Sequence, residues 1–225
     1  MTRNKKTDRG SGEGKNSMIV LGITGGIGSG KSAVLQLLSE QPDSVVLEAD
    51  SLAHRLMSPG HTAYRRIVET FGREILAEDG TIDRQKMGQM VFQDPERLEQ
   101  LNRIVHPEVK KSIRGRIRRA KEGGVRLFVI EAALLIQDGY RNICHEIWYI
   151  HTDREIRIRR LLKSRGRTLA HWESVLANQP EEEFFFRNTD DVIENSGTEA
   201  QLAEHLNESL NRLLLKSQTN DDIIS

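Results

Sequence analysis

The sequence predicts an α/β fold in which a parallel sheet is flanked by helices. Apolar runs at 18–23, 44–47, 125–130 and 147–150 are short and almost uninterrupted, as in strands that helices cover on both faces. Segments with helical periodicity separate these runs. This alternation favours parallel pairing, because each connection must cross back over the sheet before the next strand begins. A chain of 225 residues is long enough for one such domain.

The first predicted strand leads into a glycine-rich loop and then into a helix. Gly25, Gly30, Lys31 and Ser32 have the spacing G-x-x-x-x-G-K-S, which is typical of a loop that surrounds nucleotide phosphates. Glycines let backbone N–H groups converge on phosphate oxygens, Lys31 can reach the β- and γ-phosphates, and the Ser32 hydroxyl can bind Mg²⁺. The succession of strand, loop and helix favours a P-loop-type domain over a glycine-rich linker. The predicted phosphate-binding residues are Gly25, Gly26, Ile27, Gly28, Ser29, Gly30, Lys31 and Ser32.

A long segment after the second strand has a helical pattern and no strand pattern. It runs from Ser51 to Lys121, and we therefore predict a helical insertion into the α/β core at about 56–122. Four breaks divide it into several short helices: Pro59-Gly60, Asp79-Gly80, Pro95 and Pro107. A last short strand at 191–193 precedes a helix with a leucine stripe.

The two ends of the chain are polar, and the overall charge is balanced. We predict a disordered extension at 1–16, one domain at 17–216 and a flexible tail at 217–225. Lys plus Arg and Asp plus Glu number 33 each, so the balance gives no reason to expect a nucleic-acid or membrane partner. Cys144 is the only cysteine, which excludes an intrachain disulfide. We expect a cytoplasmic protein, monomeric or weakly homo-oligomeric.

Two carboxylates follow predicted strands at the edge of the sheet where ligands bind in parallel α/β folds. Asp50 follows the second strand, and two roles are open to it: it could accept a proton from an acceptor hydroxyl, or it could cap a helix that begins near Leu52. Glu131 closes the third strand and could hold Mg²⁺ through water or serve as a hydrogen-bond acceptor.

Two basic runs are candidates for contact with phosphate. The run at 154–167 contains seven Arg or Lys residues against the single acid Glu155, which favours phosphate binding over a solvated helical face. The run at 110–121 lacks interleaved aromatic residues, so we interpret it as a solvated helix with a smaller chance of contact with a phosphorylated substrate.

Together these features resemble the dephospho-CoA kinase family, over roughly residues 18–215. The phosphate loop alone is shared by many NTPases, whereas the other matching segments make the resemblance specific. The matching segments are 22–32, Ala49-Asp50 with Ala53, Pro59-Gly60, Phe71-Gly72, Asp79-Gly80, Asp83-Arg84, Val91-Phe92, 104–107, Leu134-Leu135, Arg160-Leu161, Arg165 and 190–197.

The resemblance implies transfer of the ATP γ-phosphate to the ribose 3′-hydroxyl of dephospho-CoA, with Mg²⁺ as cofactor. It further implies that the helical insertion binds the substrate and that an arginine-rich lid at about 153–187 closes over ATP. Lys31, Asp50 and Arg160 would be catalytic, with Asp50 orienting or deprotonating the hydroxyl. Arg165 would belong to the lid, and Asn195 would lie near the adenine.

Three other functions remain open from the sequence alone. A kinase for another small acceptor, such as a nucleoside or a nucleotide, would carry the same loop. A regulatory GTPase would need base-reading and switch motifs, and neither Asn-Lys-x-Asp after the loop nor Asp-x-x-Gly occurs. An RNA-binding module would rest only on the two basic runs.

Overall fold

The computed structural model describes the backbone of residues 18–223 and, apart from residues 165 and 218–223, their side chains. The predicted extension at 1–16 lies outside these residues. The described chain contains five strands: β1 (Ile19–Thr24), β2 (Ser44–Glu48), β3 (Leu127–Glu131), β4 (Glu146–His151) and β5 (Asp191–Glu194). They form one sheet in the order β2-β3-β1-β4-β5, and every pairing is parallel. The predicted fold class is therefore confirmed.

Nine α-helices connect or follow the strands in the described residues. They are α1 (Lys31–Ser39), α2 (Ala49–Leu56), α3 (Thr62–Phe71), α4 (Arg84–Phe92), α5 (Pro95–Glu122), α6 (Arg154–Arg165), α7 (Leu169–Ala177), α8 (Glu182–Asn188) and α9 (Glu199–Ile223). Two short 3₁₀ turns lie at Arg73–Ile75 and Tyr140–Asn142. Within the described residues, no helix has the length and apolar character needed to cross a membrane.

The sheet is covered on both faces, which explains why its central strands are apolar throughout. Val20 of β1 belongs to a core with residues of α2, α3 and α5, whereas the next residue, Leu21, belongs to a second core with residues of α1 and α9. Successive side chains of a strand point to opposite faces, so a strand covered on both sides needs apolar residues at every position. All residues of β1 and β3 are buried accordingly.

The helices between β2 and β3 differ from the prediction at Pro107. Asp94 caps α5 by accepting hydrogen bonds from the N–H groups of residues 96 and 97, and the helix then continues through Pro107 to residue 122. The predicted break at Pro107 is therefore wrong. A proline inside a helix costs about 3 kcal/mol, whereas each buried aliphatic side chain contributes about 1.5–3 kcal/mol. Four such side chains flank it: Ile104, Val105, Val109 and Ile113.

The C-terminal helix packs on one face of the sheet through its leucine stripe. Leu202, Leu206, Leu210 and Leu213 are buried there, as the helical spacing predicts. The helical backbone continues to Ile223, past the start of the tail that the sequence predicts from residue 217. The segment from α6 to α8 lies between β4 and β5 and corresponds in sequence to the predicted lid.

Candidate active site

The phosphate loop lies at the carboxyl end of β1, in the centre of the sheet, and continues directly into α1. Gly30 precedes the helix with a φ of +81°, a left-handed conformation that favours glycine. A Cβ atom at this position would also overlap the side-chain amide of Asn195. The first turn of α1 contains no acidic residue, so no carboxylate of that turn offsets the positive charge of the helix N-terminus.

A cleft of about 310 Å³ opens above this loop. Residues 26–32 form its floor, and residues from β2, β3 and α6 form its walls: Glu48, Glu131, Arg160 and Leu161. The structure thus brings most of the predicted phosphate-binding residues together with two carboxylates and one arginine. Ser32 is exposed in this cleft, where its hydroxyl is available to a ligand.

Lys31 lies folded over the loop. Its ammonium group donates hydrogen bonds to the carbonyl oxygens of Gly25 at 2.7 Å and Gly26 at 3.4 Å, and its Nζ is 3.8 Å from Oε1 of Glu131. The stem of a lysine side chain has several rotatable bonds, so the ammonium group can exchange the carbonyl oxygens for phosphate oxygens without movement of the backbone.

Glu131 is the buried carboxylate of the cleft. Burial raises its pKa above the ordinary value of 4.5, the charge of Lys31 acts in the opposite direction, and the charges of Asp50 and Glu48 raise it further. Glu48 and Glu131 are direct neighbours because β2 and β3 pair at these two residues. The carboxylates therefore concentrate negative charge beside Lys31 at the carboxyl ends of two strands.

Asp50 is exposed in the first turn of α2. This helix begins at Ala49, and Glu48 occupies the cap position, so the alternative role of Asp50 as a cap for a helix near Leu52 is wrong. Burial raises the pKa of Asp138 and of Tyr140, and the nearby charge of Asp50 raises both further. Asp50 therefore lies near the segment that follows β3.

His106 of α5 also lies on this side of the site. Its Nδ1 is 3.3 Å from Oδ1 of Asp138, and Lys110 donates a hydrogen bond to the backbone carbonyl of Asp138. Burial raises the pKa of Asp138, whereas the charges of His106 and Lys110 oppose that rise. Asp138 cannot be recognised from the sequence, because its partners on α5 are about thirty residues away in the chain.

Arg160 lines the cleft from α6. Its Nη2 donates to the backbone carbonyl of Asn195 at 2.9 Å, whereas its Nη1 is buried and lacks a hydrogen-bond partner among the described residues. A buried N–H group without a partner is costly, and an anionic ligand in the cleft would supply one. Arg165 is the last residue of α6, and its side chain lies outside the described part of the structure.

Arg157, one turn before Arg160, binds the phosphate loop through a backbone carbonyl. It is 8% exposed, and it donates to the carbonyl of Ile27 at 3.0 Å and to Oε1 of Gln179 at 2.5 Å. The same Gln179 oxygen accepts from the N–H of Ile27 at 3.2 Å. Burial lowers the pKa of Arg157 from its usual value. A Cβ atom at Gly26 would overlap the guanidinium group, so this contact also explains a glycine of the loop.

Asn195 holds the loop at a second point. Its Nδ2 donates to the carbonyl of Ser29 at 2.8 Å, and the hydroxyl of Thr152 donates to the same oxygen at 2.9 Å. Asn195, Thr152 and Ser29 are all buried. The side chain of Asn195 therefore contacts the phosphate loop, and its expected place near an adenine stays a prediction.

The aromatic run at 184–186 packs α8 against β4. The ring of Phe185 stacks on Tyr149 with centroids 4.6 Å apart, and Phe186 meets the same ring edge-on at 5.6 Å. Nδ1 of His151, at the end of β4, lies 2.6 Å from Oε2 of Glu194 in β5, within hydrogen-bond distance. The aromatic contacts thus join α8 to β4, and the contact of His151 with Glu194 joins β4 to β5.

Comparison with known proteins shows the family that this chain matches. A family model described as dephospho-CoA kinase matches residues 19–201. A dephospho-CoA kinase of Carboxydothermus hydrogenoformans is 39% identical over 183 residues, which are 80% of this chain and 86% of that protein.

Two solved structures have the same fold. The structure of TT1252 from Thermus thermophilus has a TM-score of 0.74 and 30% identity, and the match covers 88% of this chain and 97% of that chain. The dephospho-CoA kinase from Campylobacter jejuni has a TM-score of 0.65 and 22% identity, with coverage of 89% and 98%.

The matched region includes the phosphate loop, the carboxylates at the ends of β2 and β3, and the arginines of α6. The resemblance found in the sequence is confirmed, and it favours a kinase over a regulatory GTPase or an RNA-binding module. This chain belongs to the dephospho-CoA kinase family of ATP-dependent phosphotransferases.

Proposed function

We propose that this protein phosphorylates the ribose 3′-hydroxyl of dephospho-CoA with ATP, in a cleft where the phosphate loop, Asp50 and Arg160 act together. The product is coenzyme A, so the reaction completes coenzyme A biosynthesis, and we place it in the cytoplasm. The observation that carries the proposal is the convergence of Lys31, Glu131 and Arg160 on one cleft above the loop.

The phosphate loop is proposed to bind the triphosphate of ATP. Residues 26–32 line the cleft, and α1 begins there, so the positive end of the helix suits an anion. When ATP binds, Lys31 exchanges its loop carbonyls for β- and γ-phosphate oxygens and stabilises the charge that develops during transfer.

Mg²⁺ is proposed to bind at Ser32, with Glu131 as an indirect ligand through water. Both groups offer oxygen, which this ion prefers. Among the described residues, no group of three or more His, Cys, Asp or Glu side chains could hold a metal ion. A magnesium site of a kinase does not need such a group, because phosphate oxygens and water complete the coordination. Mg²⁺ held at these residues would supply positive charge that neutralises the phosphates.

Asp50 is proposed to orient the acceptor hydroxyl and accept its proton. Asp50 is exposed, and its charge acts on Glu131 in the cleft and on Asp138 beyond it. A general base of this kind contributes about 10²- to 10⁴-fold to the rate.

Arg160 is proposed to contact the transferring phosphoryl group through its Nη1. That atom lacks a partner among the described residues, and the guanidinium group lies in the wall of the cleft. Arg165 and Asn195 are proposed as further ATP-binding residues, Asn195 through its support of the loop.

Release of ADP from Mg²⁺-ATP tests the proposed function directly. The assay uses dephospho-CoA as acceptor beside adenosine, AMP and no acceptor, with Lys31→Ala as background. We expect turnover that depends on dephospho-CoA, with coenzyme A identified by mass. Turnover with AMP or adenosine alone would assign a different acceptor, and no turnover with dephospho-CoA would refute the proposed function.

A further inference from the structure

A second cleft lies beside the edge strand β2. It has a volume of about 440 Å³, and residues of β2, α2 and α5 line it. Three of these residues are arginines: Arg55 of α2, and Arg116 and Arg119 of α5. We call this cleft the arginine groove.

The arginines of the groove lack anionic partners in the described part of the chain. None of the three side chains makes a hydrogen bond or an ion pair there, and Nε of Arg116 is buried without a hydrogen-bond partner. The carboxylate that lines the groove is Glu48, at its upper end. Three guanidinium groups that converge on one cavity repel one another, and an anion between them would remove that repulsion and satisfy their N–H groups.

The groove meets the proposed active site at the carboxyl end of β2. Glu48 lines both the groove and the cleft above the phosphate loop. Ser51, which also lines the groove, directly follows Asp50 in α2, and Arg55 lies about one turn further along the same helix. An acceptor whose hydroxyl contacts Asp50 can therefore extend into the groove.

The spacing of the basic residues on α5 determines which of them line the groove. Arg116 and Arg119 are three residues apart, so they lie on one face of the helix and both line the groove. Arg118, between them in sequence, is exposed and does not line it. The basic run at 110–121 is thus not uniform, because only part of it faces the site.

We propose that the arginine groove binds the 5′-diphosphate of the acceptor dephospho-CoA. The proposal rests on the proposed function, which places the ribose 3′-hydroxyl at Asp50. The diphosphate is attached to the 5′ carbon of the ribose that carries this 3′-hydroxyl. Its negative charge complements the positive charge of the three arginines. Guanidinium groups bind phosphate oxygens in pairs and so fix orientation as well as affinity. By binding the 5′-diphosphate, the groove would orient the ribose and so align its 3′-hydroxyl with Asp50.

The test compares wild type, the variant Arg116→Gln/Arg119→Gln and the control Arg118→Gln. Steady-state kinetics give KM for dephospho-CoA and for ATP, and calorimetry gives the affinity for dephospho-CoA in the presence of a nonhydrolysable ATP analogue. We expect the double variant to raise KM and Kd for dephospho-CoA by about 10- to 100-fold, from the loss of charge-assisted hydrogen bonds. Its KM for ATP and all constants of Arg118→Gln should stay within about twofold of wild type.

The outcomes distinguish the two proposals. If wild type transfers phosphate but the double variant binds dephospho-CoA as tightly as wild type, the groove is not the diphosphate site and the function stands. If wild type binds dephospho-CoA without transfer and the double variant loses that binding, the groove stands and the function fails. If wild type neither binds nor phosphorylates dephospho-CoA, both fail. The single variant Arg119→Gln, at an exposed position, replaces the double variant if the latter does not fold, with an expected increase of about tenfold.

Discussion

Replacement of Asn195 by alanine distinguishes support of the phosphate loop from contact with the base of ATP. The substitution removes the 2.8 Å hydrogen bond to the carbonyl of Ser29, and the hydroxyl of Thr152 at 2.9 Å remains as the partner of that oxygen. One such hydrogen bond contributes about 0.5–1.5 kcal/mol. Because the carbonyl keeps a partner, we expect the free energy of unfolding to fall by only about 1 kcal/mol. The loop should keep its conformation.

The same loss should appear in the affinity for any ligand that the loop binds through phosphate. We expect the Kd for ATP to rise by up to about tenfold, and the Kd for inorganic tripolyphosphate to rise by the same factor. Calorimetry with both ligands measures this, and Asn207→Ala, at an exposed position of α9, is the control. If only ATP binding weakens, Asn195 contacts the base and the reasoning from the loop is refuted.

A second readout of Asn195 uses Gly30, whose Cβ position the amide occupies. Gly30→Ala is strained by its φ of +81° and by this overlap. In the background of Asn195→Ala only the backbone strain remains, so the two substitutions should destabilise the protein by less than the sum of their separate effects. Additive losses in thermal unfolding would mean that the two side chains do not compete for the same space.

Three further predictions concern the cleft. Asp50→Asn should keep ATP binding and lower kcat by about 10²- to 10⁴-fold; near-normal turnover would remove Asp50 from the mechanism. Arg160→Ala should lower kcat by about 10³- to 10⁵-fold with a smaller effect on the Kd for ATP, whereas its exposed neighbour Arg159→Ala should be close to wild type. The pKa of Glu131 is raised in the folded protein, so the folded state holds a proton more readily there, and stability should fall as the pH rises above 4.5 and through the folded pKa. Glu131→Gln should flatten the free energy of unfolding over that window, and an unchanged pH profile would contradict the raised pKa.

The strands and the phosphate loop could be predicted, because each is specified by residues close together in the sequence. The strands are apolar because both faces of the sheet are covered, and the loop is specified by glycines, Lys31 and Ser32 within one short segment. The continuation of α5 through Pro107 could not be predicted in this way. It depends on side chains packed against other elements, and their burial outweighs the local preference of proline.

The side chains that hold the phosphate loop in place could not be predicted, because they are distant from it in sequence. Arg157 contacts Ile27 across 130 residues of sequence, and Asn195 contacts Ser29 across 166. Each of these partners accepts through a backbone carbonyl, which every residue type carries, so the sequence holds no complementary side chain that would reveal the pair. The resemblance to the family indicated that Asn195 matters, but it did not indicate the contact by which it acts.

The basic run of α6 shows how one pattern can combine two roles that the sequence analysis treated as alternatives. Arg159 and Lys163 are exposed, as in a solvated face, whereas Arg157 is buried against the loop. Arg160 lies three residues after Arg157. Its Nη2 donates to the carbonyl of Asn195, whereas its Nη1 has no hydrogen-bond partner among the described residues. A phosphate bound at that second nitrogen would touch the same helix that already grips the loop at Ile27. One helix therefore carries both the contact with the loop and the nitrogen that is proposed to meet a phosphate of ATP.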